Sequence, residues 1–199
     1  MKSNSREYII EKTAQLFNRL GAQGTSLAAI CEATGLTKGA IYANFRDKNE
    51  LAVAVFEYNV NRLIRIEHDL IRVKDSPHEQ ILLLLDFYRN AFLYEEFRYG
   101  CPLANLAPEA DDTNELLLQA VQKAIRGMTE FYRQLIQKGK NRGEYKGEAD
   151  PDFAYTIVSM LEGALLVTKT SGDRRYLDGI CGLIQEKVTG WRKATAVVN

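Results

Sequence analysis

Residues 25–48, TSLAAICEATGLTKGAIYANFRDK, decide the fold of this chain because they combine two short helices with the turn that joins them. The pair Thr25–Ser26 is expected to cap the first helix. Gly35 supplies the left-handed backbone that a tight helix stop needs. Thr37 is expected to cap a second helix, Lys38–Phe45. This order of caps and turn predicts a helix-turn-helix.

The second helix has one apolar face and one face of small residues. At about 100° per residue, Ile41 and Phe45 share a face that can pack on the first helix. The opposite face is small enough to approach the floor of a DNA major groove. The residues predicted to read bases are Thr37, Lys38, Gly39, Ala40 and Ala43. The residues predicted to hold phosphates are Tyr42, Asn44, Lys48 and the Thr25/Ser26 cap. The alternative is a helical hairpin that packs against protein.

The same stretch resembles the TetR family of bacterial transcriptional regulators. The resemblance rests on ATGLTKGAIYANF and the following DKNELAVAVF, and it extends over about residues 5–56. Asn44 stands where the family more often has His, and both side chains can donate to a phosphate. The resemblance implies an all-helical, two-fold dimer that binds double-stranded operator DNA and is released by a small-molecule effector. A repressor, as opposed to an activator, is implied by the resemblance alone.

Composition restricts the class of protein further. The 199 residues carry no net charge, but residues 1–74 hold 11 Lys and Arg against 8 Asp and Glu. Such a mildly basic segment suits local phosphate contacts more than the coating of DNA. No apolar run approaches the roughly 18 residues of a membrane span, and the N-terminus lacks a signal-peptide pattern. A soluble, cytoplasmic protein that binds no membrane is therefore expected.

Glycine and proline interrupt an otherwise helical pattern, which predicts an all-α protein of about nine helices. Residues 1–48 are expected to form a three-helix DNA-binding head, and residues 49–199 a larger helical body for effector binding and dimerisation. Helix 4, at about 47–73, would link them. The polar, glycine-rich segment 139–150 is predicted to be a mobile loop. Later helices are expected to be capped by Ser76, Thr113, Asp150 and Asp173.

Two heptad-like stripes run along the last two helices. They include Val158, Leu161 and Leu165, then Leu177, Cys181, Ile184 and Val188. Such stripes build helix bundles, either within one chain or between two. A single helix-turn-helix makes few contacts, so two half-sites are usually needed. The resemblance also places the dimer on these helices, so the stripes are predicted to form a homodimer interface.

The resemblance also implies an effector pocket in the body. Its candidates are Tyr58, Phe87, Tyr88, Phe92, Tyr94, Cys101, Phe131 and Tyr155, although aromatic residues at helical spacing are commonly plain core. Cys101 precedes Pro102, so it is expected at the N-cap of a short helix ending near Glu109, where the helix dipole favours a thiolate. The segment GCPLANLAPE resembles a block of TetR-like regulators, some of which sense electrophiles through a thiol. The alternative is a small buried hydrophobe.

Enzyme chemistry finds little support in the sequence. The two histidines, His68 and His78, have no paired carboxylate motif, and there is no phosphate loop, GxSxG or metal-ligand spacing. The three cysteines are far apart and are expected to be free thiols. We therefore predict neither an enzyme nor a metal or cofactor. The alternative function is a helical small-molecule-binding or thiol-reactive sensor without specific operator binding.

Overall fold

The computed structural model describes residues 5–193, apart from the side chains of residues 96 and 111–113. Over that range the chain forms nine α-helices and two single 3-10 turns, and no strand longer than an isolated bridge. The helices are α1 (Ser5–Gly24), α2 (Leu27–Thr34), α3 (Lys38–Tyr42), α4 (Lys48–Ile71), α5 (Pro77–Arg89), α6 (Pro102–Thr113), α7 (Glu115–Asn141), α8 (Phe153–Ser171) and α9 (Arg175–Gly190). The all-α prediction is confirmed. The ends of the predicted domains, residues 1–4 and 194–199, lie outside the described residues.

The predicted cap at Ser76 is confirmed, since its hydroxyl accepts from the backbone N–H three residues later. The predicted caps at Asp150 and Asp173 are wrong, because the N-caps of α8 and α9 are Asp152 and Arg174, which make no side-chain capping hydrogen bond. The carboxylates of Asp150 and Asp173 accept instead from the N–H two residues later, in the turns before these helices. The prediction for Thr113 is wrong, because α6 continues to this residue and Asn114 Oδ1 accepts from the next helix instead, at 3.0 Å. No helix in the described part of the chain is long and apolar enough to cross a membrane.

The first of two compact units contains the residues up to Arg65 together with Phe92–Ile125. In this unit α1 packs against both α2 and α6. Two amide hydrogen bonds support the α1–α6 contact: Asn105 Nδ2 of α6 donates to Asn18 Oδ1 of α1 at 2.8 Å, and Asn18 Nδ2 donates to the buried Gly100 O, just before α6, at 3.1 Å. α6 runs past its predicted end at Glu109, and its Ala110 side chain is fully buried.

The end of α1 depends on a glycine. Gly21 has φ 74°, a left-handed conformation that redirects the chain before Gly24. A β-carbon at this position would overlap the Glu109 carboxylate of α6. Glu109 Oε2 accepts instead from the backbone N–H of Gln23 at 2.9 Å. The turn that leads into α2 is therefore held by α6.

The second compact unit contains Ile66–Ala91 and the residues from Arg126 onward. Here α9 packs against α5 and α8. The predicted mobile loop is instead fixed: α7 takes its first three residues, and Tyr145 is buried with its ring 5.9 Å from that of Trp191. Lys146 N also donates to Trp191 O at 2.8 Å. The prediction failed because a polar, glycine-rich composition does not reveal one buried aromatic anchor.

The two heptad-like stripes lie in the core of this unit within a single chain. All seven side chains, Val158, Leu161, Leu165, Leu177, Cys181, Ile184 and Val188, are at most 5% exposed. They face other helices of the same chain, so the prediction that they form the dimer interface is wrong. Burial in this apolar core also raises the pKa of the Cys181 thiol to about 11. The intramolecular alternative explains the spacing. A heptad stripe shows which side of a helix is most buried, but it does not show whether the covering helix belongs to the same chain.

Candidate nucleic-acid interface

The first helix of the motif, α2, is closed at both ends as the sequence predicts. Ser26 is its N-cap, and the Ser26 hydroxyl accepts from Ala29 N at 3.1 Å. Gly35 follows the last turn with φ 68°, and its N–H donates to Cys31 O at 2.8 Å. A β-carbon would meet no atom within 4 Å at Gly35, so the glycine is required by its backbone conformation and not by lack of space.

The second helix, α3, is shorter than predicted. Thr37 caps it, with its hydroxyl accepting from Ala40 N at 3.3 Å. The helix ends at Tyr42, because the chain then turns toward the cap of α4. The predicted inner face is confirmed, since Ile41 and Phe45 are each 1% exposed. α3 therefore docks through two large side chains and leaves its other face to solvent.

The outer face of α3 carries the residues predicted to read bases. Thr37, Lys38, Gly39 and Ala43 are exposed, and Ala40 is half-buried. A β-carbon on Gly39 would lie 3.9 Å from Thr37 Oγ1, an ordinary van der Waals contact. The fold itself thus has room for a larger residue at Gly39. The prediction that Gly39 faces the bases stays a prediction, and a surface without a side chain is compatible with it.

Of the predicted phosphate-holding residues, two lie at the edges of this face. Tyr42 is 38% exposed, and Lys38 Nζ lies 5.9 Å from the centre of its ring. Asn44 is half-buried and donates from Nδ2 to Ala40 O at 2.9 Å. Both side chains border the surface that α3 presents to solvent.

The remaining phosphate candidates meet at the start of α2. Lys48 Nζ donates to Thr25 O at 3.1 Å and to Gln23 O at 3.4 Å, which places the ammonium group beside the exposed Ser26 cap. Thr25 is fully buried, and its hydroxyl donates to Gly21 O at 2.6 Å. The predicted phosphate contact of the Thr25 side chain is therefore wrong, because this hydroxyl closes the turn after α1.

Sequence reasoning missed the side chain that fixes α3 from behind. Arg6, on α1, donates to Asn44 O at 2.9 Å and to Glu50 Oε1 at 3.0 Å, and its guanidinium lies 4.2 Å from the centre of the Phe45 ring. Tyr8, two residues further along α1, donates to Thr34 O at 3.1 Å and so binds the end of α2. The only signal in the sequence was that Arg6 is a cation on the helix before the motif, which does not distinguish it from Lys12 or Arg19.

The start of α4 is fixed by two carboxylates. The Asp47 carboxylate accepts from Glu50 N at 2.8 Å, and this hydrogen bond lowers the pKa of Asp47. Glu50 Oε2 accepts from Arg46 N at 2.8 Å, which lowers the pKa of Glu50, and Arg6 lowers it further. Both carboxylates are therefore ionised at neutral pH and hold the turn between α3 and α4.

The predicted pocket residues do not come together in one compact unit. The first unit contains Tyr58, Phe92, Tyr94 and Cys101, and the second contains Phe87, Tyr88, Phe131 and Tyr155. Tyr155 is 62% exposed on α8, so its assignment as a pocket wall within the chain is wrong. Phe87 and Tyr88 are buried, and Phe131 stacks on His68 with ring centroids 5.1 Å apart.

Cys101 occupies the predicted position in the backbone. It is the N-cap of α6, Asn105 N donates to its carbonyl oxygen at 3.1 Å, and the residue is 1% exposed. Its thiol makes no capping hydrogen bond. Burial favours the interpretation of Cys101 as a small core residue, and its role as a thiol sensor stays a prediction.

Known proteins match both parts of the chain. Residues 9–55 match the family described as "Bacterial regulatory proteins, tetR family", and residues 77–183 match "Tetracyclin repressor-like, C-terminal domain". A TetR-family transcriptional regulator from Cytophaga hutchinsonii is 30% identical, with a TM-score of 0.88 over 98% of this chain and 100% of that one.

Two sequence relatives span most of their own length. An uncharacterised HTH-type transcriptional regulator from the lacX 3' region of Lactococcus lactis is 26% identical over 92% of both chains. The HTH-type transcriptional repressor NemR of Escherichia coli is 24% identical over 84% of this chain and 85% of its own. With its capped helix-turn-helix, its nine-helix architecture and these matches, the chain belongs to the TetR family of DNA-binding transcriptional regulators.

Proposed function

We propose that the chain is a homodimeric repressor that binds a two-half-site operator through α3 and is released by a small-molecule effector. The observation that carries this proposal is the exposed face of small residues on α3, held by caps and by Arg6 from behind. The relative NemR is named a repressor, which supports the direction of regulation. A surface with so few donors also favours recognition of thymine methyl groups and of DNA shape.

The DNA contacts divide into two groups. The residues that face the bases are Thr37, Lys38, Gly39, Ala40 and Ala43. The residues that hold phosphates lie around this group and are Ser26, Tyr42, Asn44 and Lys48. Phosphate contacts set the position of the helix and the salt dependence, and base contacts set the sequence.

The homodimer uses a different face of the last two helices from the one predicted. Large apolar side chains of α8 and α9 are exposed in the single chain: Tyr155, Leu166, Val167, Tyr176 and Leu183. Each of these residues lies off the buried heptad stripe. A two-fold axis brings such a patch against its own copy, which buries it on both subunits at once. This interface positions two copies of α3 for two half-sites.

The effector acts on α3 of each subunit through α6 as well as through α4. Two contacts within the first unit favour α6: the Asn18–Asn105 amide pair connects it to α1, and the Glu109 carboxylate connects it to the turn before α2. A shift of α6 therefore moves the support of the motif. The coupling is reciprocal: if the effector lowers the affinity for the operator by some factor, the operator-bound protein binds the effector more weakly than the free protein does, by the same factor.

Selection of bound duplexes from a random pool tests the proposal. We expect a two-fold symmetric consensus, with half-sites about one DNA turn, 34–36 Å, apart or a multiple of it. Lys48→Ala should reduce the slope of log K against log salt concentration by about two for the dimer, since each lost phosphate contact contributes about 0.9. The matched control is Lys123→Ala, an exposed lysine of α7. A pool without consensus, or equal effects of the two variants, would contradict the proposal.

A further inference from the structure

The second compact unit contains a carboxyl group in an unusual setting. Glu67, near the end of α4, is 4% exposed and accepts a 2.5 Å hydrogen bond from the hydroxyl of Tyr88 on α5. Burial raises the pKa of Glu67 to about 7, the Tyr88 hydrogen bond opposes this, and the carboxyl of Glu162 on α8 adds to it. The negative charge of Glu162 thus opposes the ionisation of Glu67, because two like charges in one buried region repel each other.

A third helix places an unsatisfied phenol at the same acids. Tyr132, on α7, is fully buried, and its hydroxyl has no hydrogen-bond partner among the described residues. Its pKa is raised well above the ordinary value, first by burial and then by the charges of Glu67, Cys181 and Glu162, so the phenol and the two carboxyls are electrostatically coupled. Buried hydroxyls without partners are rare, because an unpaired polar group loses its hydration without replacement.

Each tyrosine of this cluster has a phenylalanine ring beside it. The ring of Tyr88 lies edge-on to that of Phe87 at 5.6 Å, and the ring of Tyr132 lies edge-on to that of Phe131 at 5.8 Å. The faces of such rings attract cations, and carboxylates pair with them. An anionic ligand would be repelled by the two acids. A neutral apolar ligand would leave the Tyr132 hydroxyl without a hydrogen-bond partner.

We propose that the cluster of Glu67, Tyr88, Tyr132 and Glu162 binds an organic cation with an apolar aromatic body, such as a protonated arylalkylamine, and that this is the effector class. This inference rests on the proposed function of an effector-released regulator. The ammonium group pairs with the ionised Glu67, the Tyr132 hydroxyl contributes its oxygen as an acceptor, and the rings contact the apolar body. Binding a cation favours the ionised carboxylate, so proton release from Glu67 accompanies it near neutral pH.

The test uses three probes with one carbon skeleton: phenylbutylamine, phenylbutanol and phenylbutyrate. Binding is measured by calorimetry on the full-length protein without DNA, so the result is independent of operator recognition. We expect the amine to bind and the alcohol and carboxylate to bind at least about tenfold more weakly, since they lack the charge pair. Glu67→Gln should weaken amine binding by about tenfold or more. Glu130→Gln, an exposed acid of α7, should leave amine binding unchanged.

A second measurement needs no ligand. Tyr132→Phe should leave the melting temperature unchanged or raise it, because the hydroxyl removed has no partner, and it should weaken amine binding. The Tyr145 hydroxyl does have a partner, His78 Nδ1 at 3.3 Å, so Tyr145→Phe should lower the melting temperature. The inference is overturned if the amine does not bind at millimolar concentration, if the carboxylate binds as well as the amine, or if Glu67→Gln binds the amine like the parent. Retained operator binding alongside any of these outcomes would leave the proposed function intact.

Discussion

The substitution Gly39→Ala separates what α3 needs for folding from what it needs for DNA. The added methyl group would lie 3.9 Å from Thr37 Oγ1 and overlap no atom of the chain. Alanine also loses less backbone entropy than glycine in a helix, so the free energy of unfolding should rise by up to about 0.5–1 kcal/mol. On structural grounds alone, the variant is at least as stable as the parent.

The effect on DNA should have the opposite sign. If Gly39 faces the bases, a methyl group prevents α3 from reaching its depth in the groove at each half-site. A disrupted base contact costs about 1–3 kcal/mol, and the dimer has two copies of the helix. Operator affinity should therefore fall by at least about 2 kcal/mol, which corresponds to roughly thirtyfold in Kd.

Two assays decide the question. Urea unfolding gives the change in stability, and fluorescence anisotropy with the selected operator gives Kd at fixed salt. The matched control is Gly127→Ala on α7, where an added β-carbon also meets no atom within 4 Å. This control should gain similar stability without a change in Kd. If Gly39→Ala binds the operator as tightly as the parent does, α3 does not present this face to the bases.

Three further predictions follow from other parts of the structure. Arg6→Met should lower the free energy of unfolding by less than about 1 kcal/mol, because the Arg6–Glu50 pair is partly exposed. It should nevertheless weaken operator binding, because Arg6 no longer fixes the end of α3. An unchanged Kd would show that the Arg6 contacts, here called the Arg6 clamp, do not position α3. Leu166→Glu combined with Leu183→Glu should give a folded monomer by light scattering, with an unchanged helical circular dichroism spectrum, whereas an intact dimer would place the interface elsewhere. Glu67 has a pKa of about 7 in the folded chain against an ordinary 4.5. Between these two pH values the folded chain retains a proton that the unfolded chain has lost. The free energy of unfolding should therefore fall by up to about 3 kcal/mol as the pH rises from 4.5 to about 7. Urea unfolding across this pH range should show that loss in the parent but not in Glu67→Gln, and equal slopes would contradict the assignment.

The elements that were predictable from sequence are those specified by neighbouring residues. Ser26, Gly35 and Thr37 act within four positions along the chain, so their caps and turn could be inferred directly. Arg6 contacts residues 38 and 44 positions away, and no local pattern indicates which distant carbonyl a cation will meet. Thr25 illustrates the same limit, since its hydroxyl faces Gly21 and not solvent.

The dimer prediction failed for a different physical reason. Heptad spacing states that one side of a helix is buried, but it does not state whether the covering side chains belong to the same chain. Leu161 and Ile184 satisfy the pattern and are fully covered by their own chain. The informative residues were those outside the pattern, such as Leu166 and Tyr176, whose exposure is known only once the helices are packed.

The five-residue length of α3 has a consequence for changing the specificity of this protein. So short a segment has no helical stability of its own, and its position depends on Thr37, Ile41, Phe45 and the Arg6 clamp. The exposed positions between these supports, Lys38, Gly39, Tyr42 and Ala43, can therefore be randomised as a compact library, since they lie outside the packing beneath. Variants selected on a new operator would inherit the parent's folding behaviour, so that altered recognition could be evolved here separately from stability.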